Sequence, residues 1–285
     1  MKLGVLGWIM SDLSDIDENK ILWLPTHGFQ GTGVHLTVEA DQVPDERLYN
    51  LKDRLADQAI DLVQFWAPYP CIICEDDSVR KEGIAKAQAG VVAAVKAGAL
   101  TAGIRPTSLN PRGDWWPHAG NYSQETEDRL VDSLIEIAKV AEDHDIDIVL
   151  ECHVTTTLHS PERIVQIIER TGSERIKTNL DPVNFMGDFH TAFNQHEMFD
   201  RLFNIMGSYV ATAHIKDFYM EDRFVIHIAE TVPGLGMLDI DTVLLRYQAL
   251  LPDGYACVEH LPPSLLIQAG QYVSERIHAL NIPVG

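Results

Sequence analysis

Four apolar runs in the second half of this 285-residue chain each close on a residue able to ligate a metal. Asp147-Ile148-Val149-Leu150 leads into Glu151, Ile176 to Leu180 into Asp181, Val210 to Ala213 into His214, and Ala256-Cys257-Val258 into Glu259. Side chains alternate faces along a strand, so Glu151 points as Val149 does and Glu259 as Cys257 does. In a closed barrel of parallel strands such ends converge on one mouth. Three carboxylates gathered there repel one another unless protons or a cation intervene. Three oxygens and one imidazole nitrogen suit a single divalent cation, with Mn²⁺ expected and Mg²⁺, Co²⁺ or Zn²⁺ as alternatives. One acid at a strand end is commonly a helix cap or an ion-pair partner; four in succession make a metal site.

A metal in that position polarises a carbonyl and its neighbouring hydroxyl and acidifies the C–H between them, giving an enediolate once a base takes the proton. Returning the proton to the adjacent carbon isomerises a sugar, returning it to the other face epimerises it, and expelling a β-substituent makes the enzyme a lyase. His153, two residues beyond Glu151, faces the same way if the strand persists, and a near-neutral imidazole suits proton transfer. Lys216, two beyond His214, either neutralises an enediolate or binds a substrate hydroxyl; its other reading is an ion pair with Asp217 or a barrel carboxylate. Arg105 is a candidate for orienting substrate oxygens, against a structural ion pair. Trp8, Trp66, Trp115 and Trp116 are candidate apolar walls. No Gly-rich loop feeds a helix, and Pro233-Gly234-Leu235-Gly236 alone is a weak phosphate signal, so an unphosphorylated substrate is expected.

The elements that must position these residues alternate. Apolar, β-branched runs at Leu3–Leu6, Gly33–Val38, Asp61–Trp66, Leu100–Arg105, Ile146–Glu151, Ile176–Asp181, Val210–Lys216 and Tyr255–His260 make eight candidate strands. Between them lie helical signals: Pro44-Asp45-Glu46 opens a segment to about Ala59 with Leu48, Leu51 and Leu55 at helical spacing, and Ser123 begins another carrying Leu130, Leu134, Ile137 and Ala141. Ser160-Pro161-Glu162 caps a third, and Asp239 or Asp241 a fourth through Leu250. Strand–helix alternation predicts an α/β fold, a (β/α)₈ TIM barrel in one domain over residues 1–285. An open doubly wound sheet would place a glycine fingerprint after its first strand, and Leu6 is followed instead by Gly-Trp-Ile-Met. The stretch Thr107–Tyr122 is the longest irregular segment and falls after strand four, on the face where barrel sites form.

Composition narrows the partners. Lys plus Arg number 22 and Asp plus Glu 42, a net charge of −20, so a phosphate backbone or an anionic membrane is repelled and no nucleic acid or membrane partner is expected. No run approaches the roughly 18 apolar residues of a span, and the N-terminus lacks the pattern of a secretory signal. Four cysteines do not make a disulfide framework, which makes a reducing cytoplasm the default. Cys71 and Cys74 form a lone C-x-x-C without a second pair to complete a metal site.

At its strand ends the sequence resembles the sugar isomerase and epimerase superfamily with the xylose-isomerase-like barrel. The pieces are Leu150-Glu151-Cys152-His153, Asn179-Leu180-Asp181-Pro182-Val183-Asn184, His214-Ile215-Lys216-Asp217, Pro233-Gly234-Leu235-Gly236 and Val258-Glu259-His260. The resemblance implies one metal on Glu151, Asp181, His214 and Glu259, with Glu151 and Glu259 as the acid/base pair and His153 as an added catalytic candidate. It implies an isomerase or epimerase of an unphosphorylated keto- or aldo-sugar, with an inosose-dehydratase-like or C-glycoside-deglycosidase-like lyase of a keto-cyclitol or 3-keto-glycoside as the alternative. A non-catalytic barrel subunit is a further alternative. A homo-oligomer is expected, and a small second subunit in the C-glycoside case. Asn184, grouped with Lys216 and Arg105 as a substrate contact, stands where the three-zinc endonucleases of the same barrel place a histidine. His35 stands where relatives often carry an acid, which puts the usual substrate contact there in doubt.

Overall fold

A computed structural model describes residues 1–225 and 227–285. Eight parallel strands close a barrel: β1 (Lys2–Ser11), β2 (Gly31–Leu36), β3 (Asp61–Trp66), β4 (Thr101–Ile104), β5 (Asp147–Leu150), β6 (Ile176–Leu180), β7 (Val210–Ile215) and, after an antiparallel hairpin of β8 (Asp217–Met220) and β9 (Ile228–Thr231), β10 (Tyr255–Val258). The ring runs β1-β10-β7-β6-β5-β4-β3-β2, so it closes between β1 and β2. Around it lie α1 (Glu18–Thr26), α2 (Asp45–Asp57), α3 (Asp77–Lys96), α4 (Gln124–Asp143), α5 (Pro161–Thr171), α6 (Phe189–Phe193), α7 (Gln195–Ile205), α8 (Ile240–Leu250) and α9 (Pro263–Ala279). Among the described residues no helix is long and apolar enough to cross a membrane.

The expected barrel is the observed fold, and its departures from the expectation are local. β1 runs on to Ser11 because Gly7, at φ 78°, carries a register shift between Val5 and Ile9 and lets the strand keep pairing with β2. β2 is displaced by two residues, to Gly31–Leu36. The hairpin β8–β9 has no counterpart among the eight predicted strands. The helix starts behave as their residues dictate: Ser123, Ser160 and Asp239 each accept a backbone N–H of the first turn, at Thr126, Arg163 and Thr242.

Strand alternation sets up the mouth. The interior-facing pairs Gln64/Trp66, Asn179/Asp181 and Thr212/His214 step up the barrel two residues at a time, with a buried polar layer beneath the upper residues. Gly103 sits beside Trp66 in the β3–β4 register, and a Cβ there would run into the Trp66 indole, so the glycine makes room for that ring.

Candidate metal centre

Glu151, Asp181, His214 and Glu259 come together as four buried residues, each offering one ligand atom, all within 4.8 Å of one another. The carboxylates stand one residue past β5, β6 and β10, while His214 is still within β7. His214 Nδ1 lies 2.9 Å from Glu259 Oε1, 3.6 Å from Glu151 Oε2 and 4.0 Å from Asp181 Oδ2.

The neighbours of His214 decide which of its nitrogens is bare. Trp66 Nε1–H donates to Gln64 Oε1 at 3.1 Å, and because indole can only donate, the oxygen of Gln64 must face that way. His214 Nε2 lies 2.9 Å from the same oxygen and so carries a proton. In the neutral ring Nδ1 therefore presents a lone pair to the carboxylate oxygens. The Gln64 amide donates at 2.7 Å to Thr212 Oγ1, which donates at 2.9 Å to Asn179 Oδ1, and Asn179 Nδ2 donates at 3.1 Å to Glu151 Oε2. Asn184 Nδ2 donates at 2.8 Å to the other oxygen of Glu151. Two of the four ligands are thus oriented by one chain of amides and a hydroxyl, as metal ligands generally are.

Three atoms of the ring, His214 Nδ1, Asp181 Oδ2 and Glu259 Oε1, are buried without an aligned hydrogen-bond partner. Lys216 Nζ approaches Asp181 Oδ2 at 2.7 Å and Glu259 Oε1 at 2.6 Å, which is ion-pair contact without hydrogen-bond alignment. One imidazole nitrogen and two carboxylate oxygens without an aligned partner, all within 4.8 Å of one another, fit a divalent cation. Burial pushes the Glu151 carboxyl up to about 7, with Glu259 and Asp181 adding to the rise and His214 and Lys216 opposing it. Burial works against the charged Glu259 as well, yet His214, Lys216 and His260 hold it well below the usual carboxylate range. Burial lowers His214, but Glu259, Glu151 and Asp181 together leave it above its ordinary value.

Above the ring opens a cavity of about 430 Å³, lined by Glu151, His214, Lys216 and Glu259 below and by His35, Trp66, Arg105, Trp115, His153, Asn184, Glu230 and His260 around it. That volume is within the range of small-molecule sites. The cations on its walls are already answered: Arg105 pairs with Asp114 at 2.9 Å and lies over the Tyr69 ring, Lys216 with two ring carboxylates, and His260 Nδ1 with Glu230 Oε2 at 3.2 Å. His153 Nδ1 lies 2.8 Å from Thr155 Oγ1 and 3.2 Å from the Thr155 backbone nitrogen, so Thr155 holds this edge of the ring. Burial pushes the His153 imidazole below its ordinary value.

Glu151, His214 and Glu259 of the ring meet His153, Lys216, Arg105 and Asn184 at this cavity, with Asp181 outside its lining, although Lys216, Arg105 and Asn184 spend their polar atoms on protein partners. Trp66 and Trp115 line it; Trp8 instead stacks on Trp23 and donates to the Lys20 carbonyl, and Trp116 takes the Arg112 guanidinium on its face. Cys71 and Cys74 are free thiols away from the cavity. Gln64, Thr212, Asn179, Glu230 and His260 escaped the sequence reading. A signal existed for the first three: polar residues stand two positions before a mouth residue where a barrel interior calls for apolar ones.

A parallel eight-stranded barrel with a buried acid–histidine ring at its C-terminal mouth is the architecture of a metal-dependent barrel enzyme class. The chain matches the model of the xylose isomerase-like TIM barrels over residues 23–277 and belongs to that family. Its fold is similar to that of an L-ribulose 3-epimerase (14% identity, TM-score 0.76, 98% of this chain and 95% of that one). It is similar as well to a D-psicose 3-epimerase with D-tagatose from Clostridium cellulolyticum H10 (16%, 0.72, 98% and 99%). A third is a xylose isomerase-like TIM barrel protein from Mycobacterium smegmatis in complex with magnesium (16%, 0.72, 95% and 95%). No curated protein matches the sequence.

Proposed function

We propose that residues 1–285 form one catalytic domain, a divalent-metal-dependent isomerase or epimerase of an unphosphorylated keto- or aldo-sugar. The observation that carries this reading is the buried cluster of His214 Nδ1 and the Glu151, Asp181 and Glu259 carboxylates, whose ligand atoms lie within 4.8 Å of one another beside a cavity of about 430 Å³. A divalent cation on Glu151, Asp181, His214 and Glu259, with Mn²⁺ the ion proposed, would supply Lewis acidity to a carbonyl and its neighbouring hydroxyl. Glu151 and Glu259 are the proton-transfer pair: one removes the proton from the carbon beside the carbonyl to leave an enediolate, and a proton returns to the opposite face or to the next carbon. Lys216 offsets the negative charge beside both Asp181 and Glu259. The neutralised state of Arg105, Lys216 and His260 disfavours a phosphate on the substrate.

Glu151→Gln and His214→Ala should each lower bound metal in the purified protein; undiminished metal content in both would sink the ligand set. Incubating candidate ketoses in D₂O should place deuterium on the carbon beside the carbonyl without loss of any group. A lyase is the second reading, favoured by His153, whose imidazole lines the cavity and is held by Thr155 at Nδ1, which suits proton transfer to a departing group. Release of a leaving group, abolished in His153→Ala, would decide for it.

A further inference from the structure

The barrel divides its work. β5, β6, β7 and β10 are contiguous in the ring and carry the four ligand positions, while β2, β3 and β4 present His35, Trp66 and Arg105 to the same cavity. Around an eight-strand ring β2 stands opposite β6, so His35 faces the cavity from across the mouth from Asp181. The other cavity histidines each have a ring nitrogen anchored by protein: His214 by Gln64, His153 by Thr155, His260 by Glu230. His35 has none among the described residues, and its Nδ1 is buried without any partner. Its ring lies parallel to the Trp66 indole, centroids 5.9 Å apart and planes 2° from parallel, so its orientation is fixed by packing rather than by hydrogen bonds.

A buried polar nitrogen with no partner calls for a group that arrives later. We propose that His35, backed by Trp66, is a hydroxyl-recognition subsite that selects which sugar this cavity takes. This rests on the sugar reading above. Burial pushes the imidazole down to about 4, so at neutral pH the ring offers one N–H and one lone pair. Each nitrogen can serve a hydroxyl of its own, the N–H donating to one and the lone pair accepting from another, and the uncharged ring brings no positive charge to a carboxylate or a phosphate. Trp66 gives the sugar an apolar face beside it.

The test uses metal-loaded wild-type protein, His35→Phe and His35→Gln, with D-fructose, D-tagatose and their monodeoxy analogues as probes, titrated by calorimetry. Phenylalanine keeps the stacked ring and removes both nitrogens; glutamine restores a donor and an acceptor. His35→Phe should weaken binding of a sugar about tenfold, His35→Gln should recover most of it, and metal content should not change. One deoxy analogue should bind wild type about tenfold more weakly than its parent, and His35→Phe should bind that analogue and its parent alike. Ligand-free His35→Phe should melt above wild type, since an unpaired buried polar group is gone; a merely structural histidine would move stability and affinity together. Unchanged affinity in His35→Phe, additive losses for every deoxy position, or a wild type that binds none of these sugars would overturn the assignment. Binding without C–H exchange would instead sink the isomerase or epimerase reading and leave the His35 subsite standing.

Discussion

Gln64 shows how far a single side chain reaches here. Its oxygen receives both the Trp66 indole N–H and the His214 Nε2–H, and through its amide it is tied to Thr212, Asn179 and Glu151. Gln64→Leu removes the acceptor, so His214 loses the contact that fixes its tautomer and ring plane. Metal affinity should fall by roughly 10–100-fold, read by chelator competition; an unchanged affinity would show that the ring orients itself without β3. His35 supports a second expectation, about pH. Its folded-state imidazole is held by burial down to about 4, against 6.5 ordinarily. An unfolded chain takes up that proton below about 6.5 and the folded one only near 4, so this group removes stability as pH falls across that window. His35→Phe should therefore lose less stability than wild type between pH 7 and pH 4.5 in urea denaturation. Equal losses would mean that the imidazole is not held neutral.

At the scale of elements the same argument applies to the hairpin β8–β9, which carries Glu230 to the cavity beside His260. The hairpin is fastened by one buried carboxylate: Asp217 accepts the backbone N–H groups of Phe218, Gly234, Gly236 and Leu238 at 2.8, 3.0, 2.9 and 2.9 Å. Gly236 lies so close that a Cβ would strike Asp217 Oδ1 and the Phe218 carbonyl. Asp217→Ala should cost roughly 2–4 kcal/mol, the penalty for leaving several buried donors without a charged acceptor. Limited proteolysis should then cut first between β8 and β9, and cleavage elsewhere would place the weak point outside the hairpin. The hairpin also marks where the sequence stops being legible. Eight strands and their ligand ends were readable because alternation and terminal polarity are local properties. Asp217 reads alone as an acid after Lys216, since its donors come from as far off as Leu238. Helix α3 likewise evades periodicity: Ala87, Gly90, Val91 and Ala94 are buried, but alanine and glycine do not stand out from the remainder of its face. His260 leaves the strand register at φ 59°, so counting along β10 does not give its direction. His35 could be placed at a strand end, but only the cavity reveals that its nitrogens lack partners.

For the whole molecule, the ring links strands distant in sequence. Glu151 and Glu259 are 108 residues apart, and β5, β6, β7 and β10 are brought side by side only by folding. An unfolded chain cannot present those atoms within 4.8 Å of each other, so a cation that binds them binds the native state almost alone. Metal should stabilise the fold by about 2.7 kcal/mol at one hundred times its dissociation constant. For a chain of this size that corresponds to a rise in Tm of roughly 4–5 °C. The surface charge of −20 attracts divalent cations weakly everywhere, so a shift alone would not locate the binding. The ring and the surface separate under two controls. Raising salt at constant metal should screen the surface effect and leave the ring's contribution in place, and Glu151→Gln should abolish the specific shift while keeping the diffuse one. A Tm rise that disappears in salt and survives in Glu151→Gln would assign the stabilisation to the acidic surface and remove the thermodynamic support for a metal at the barrel mouth.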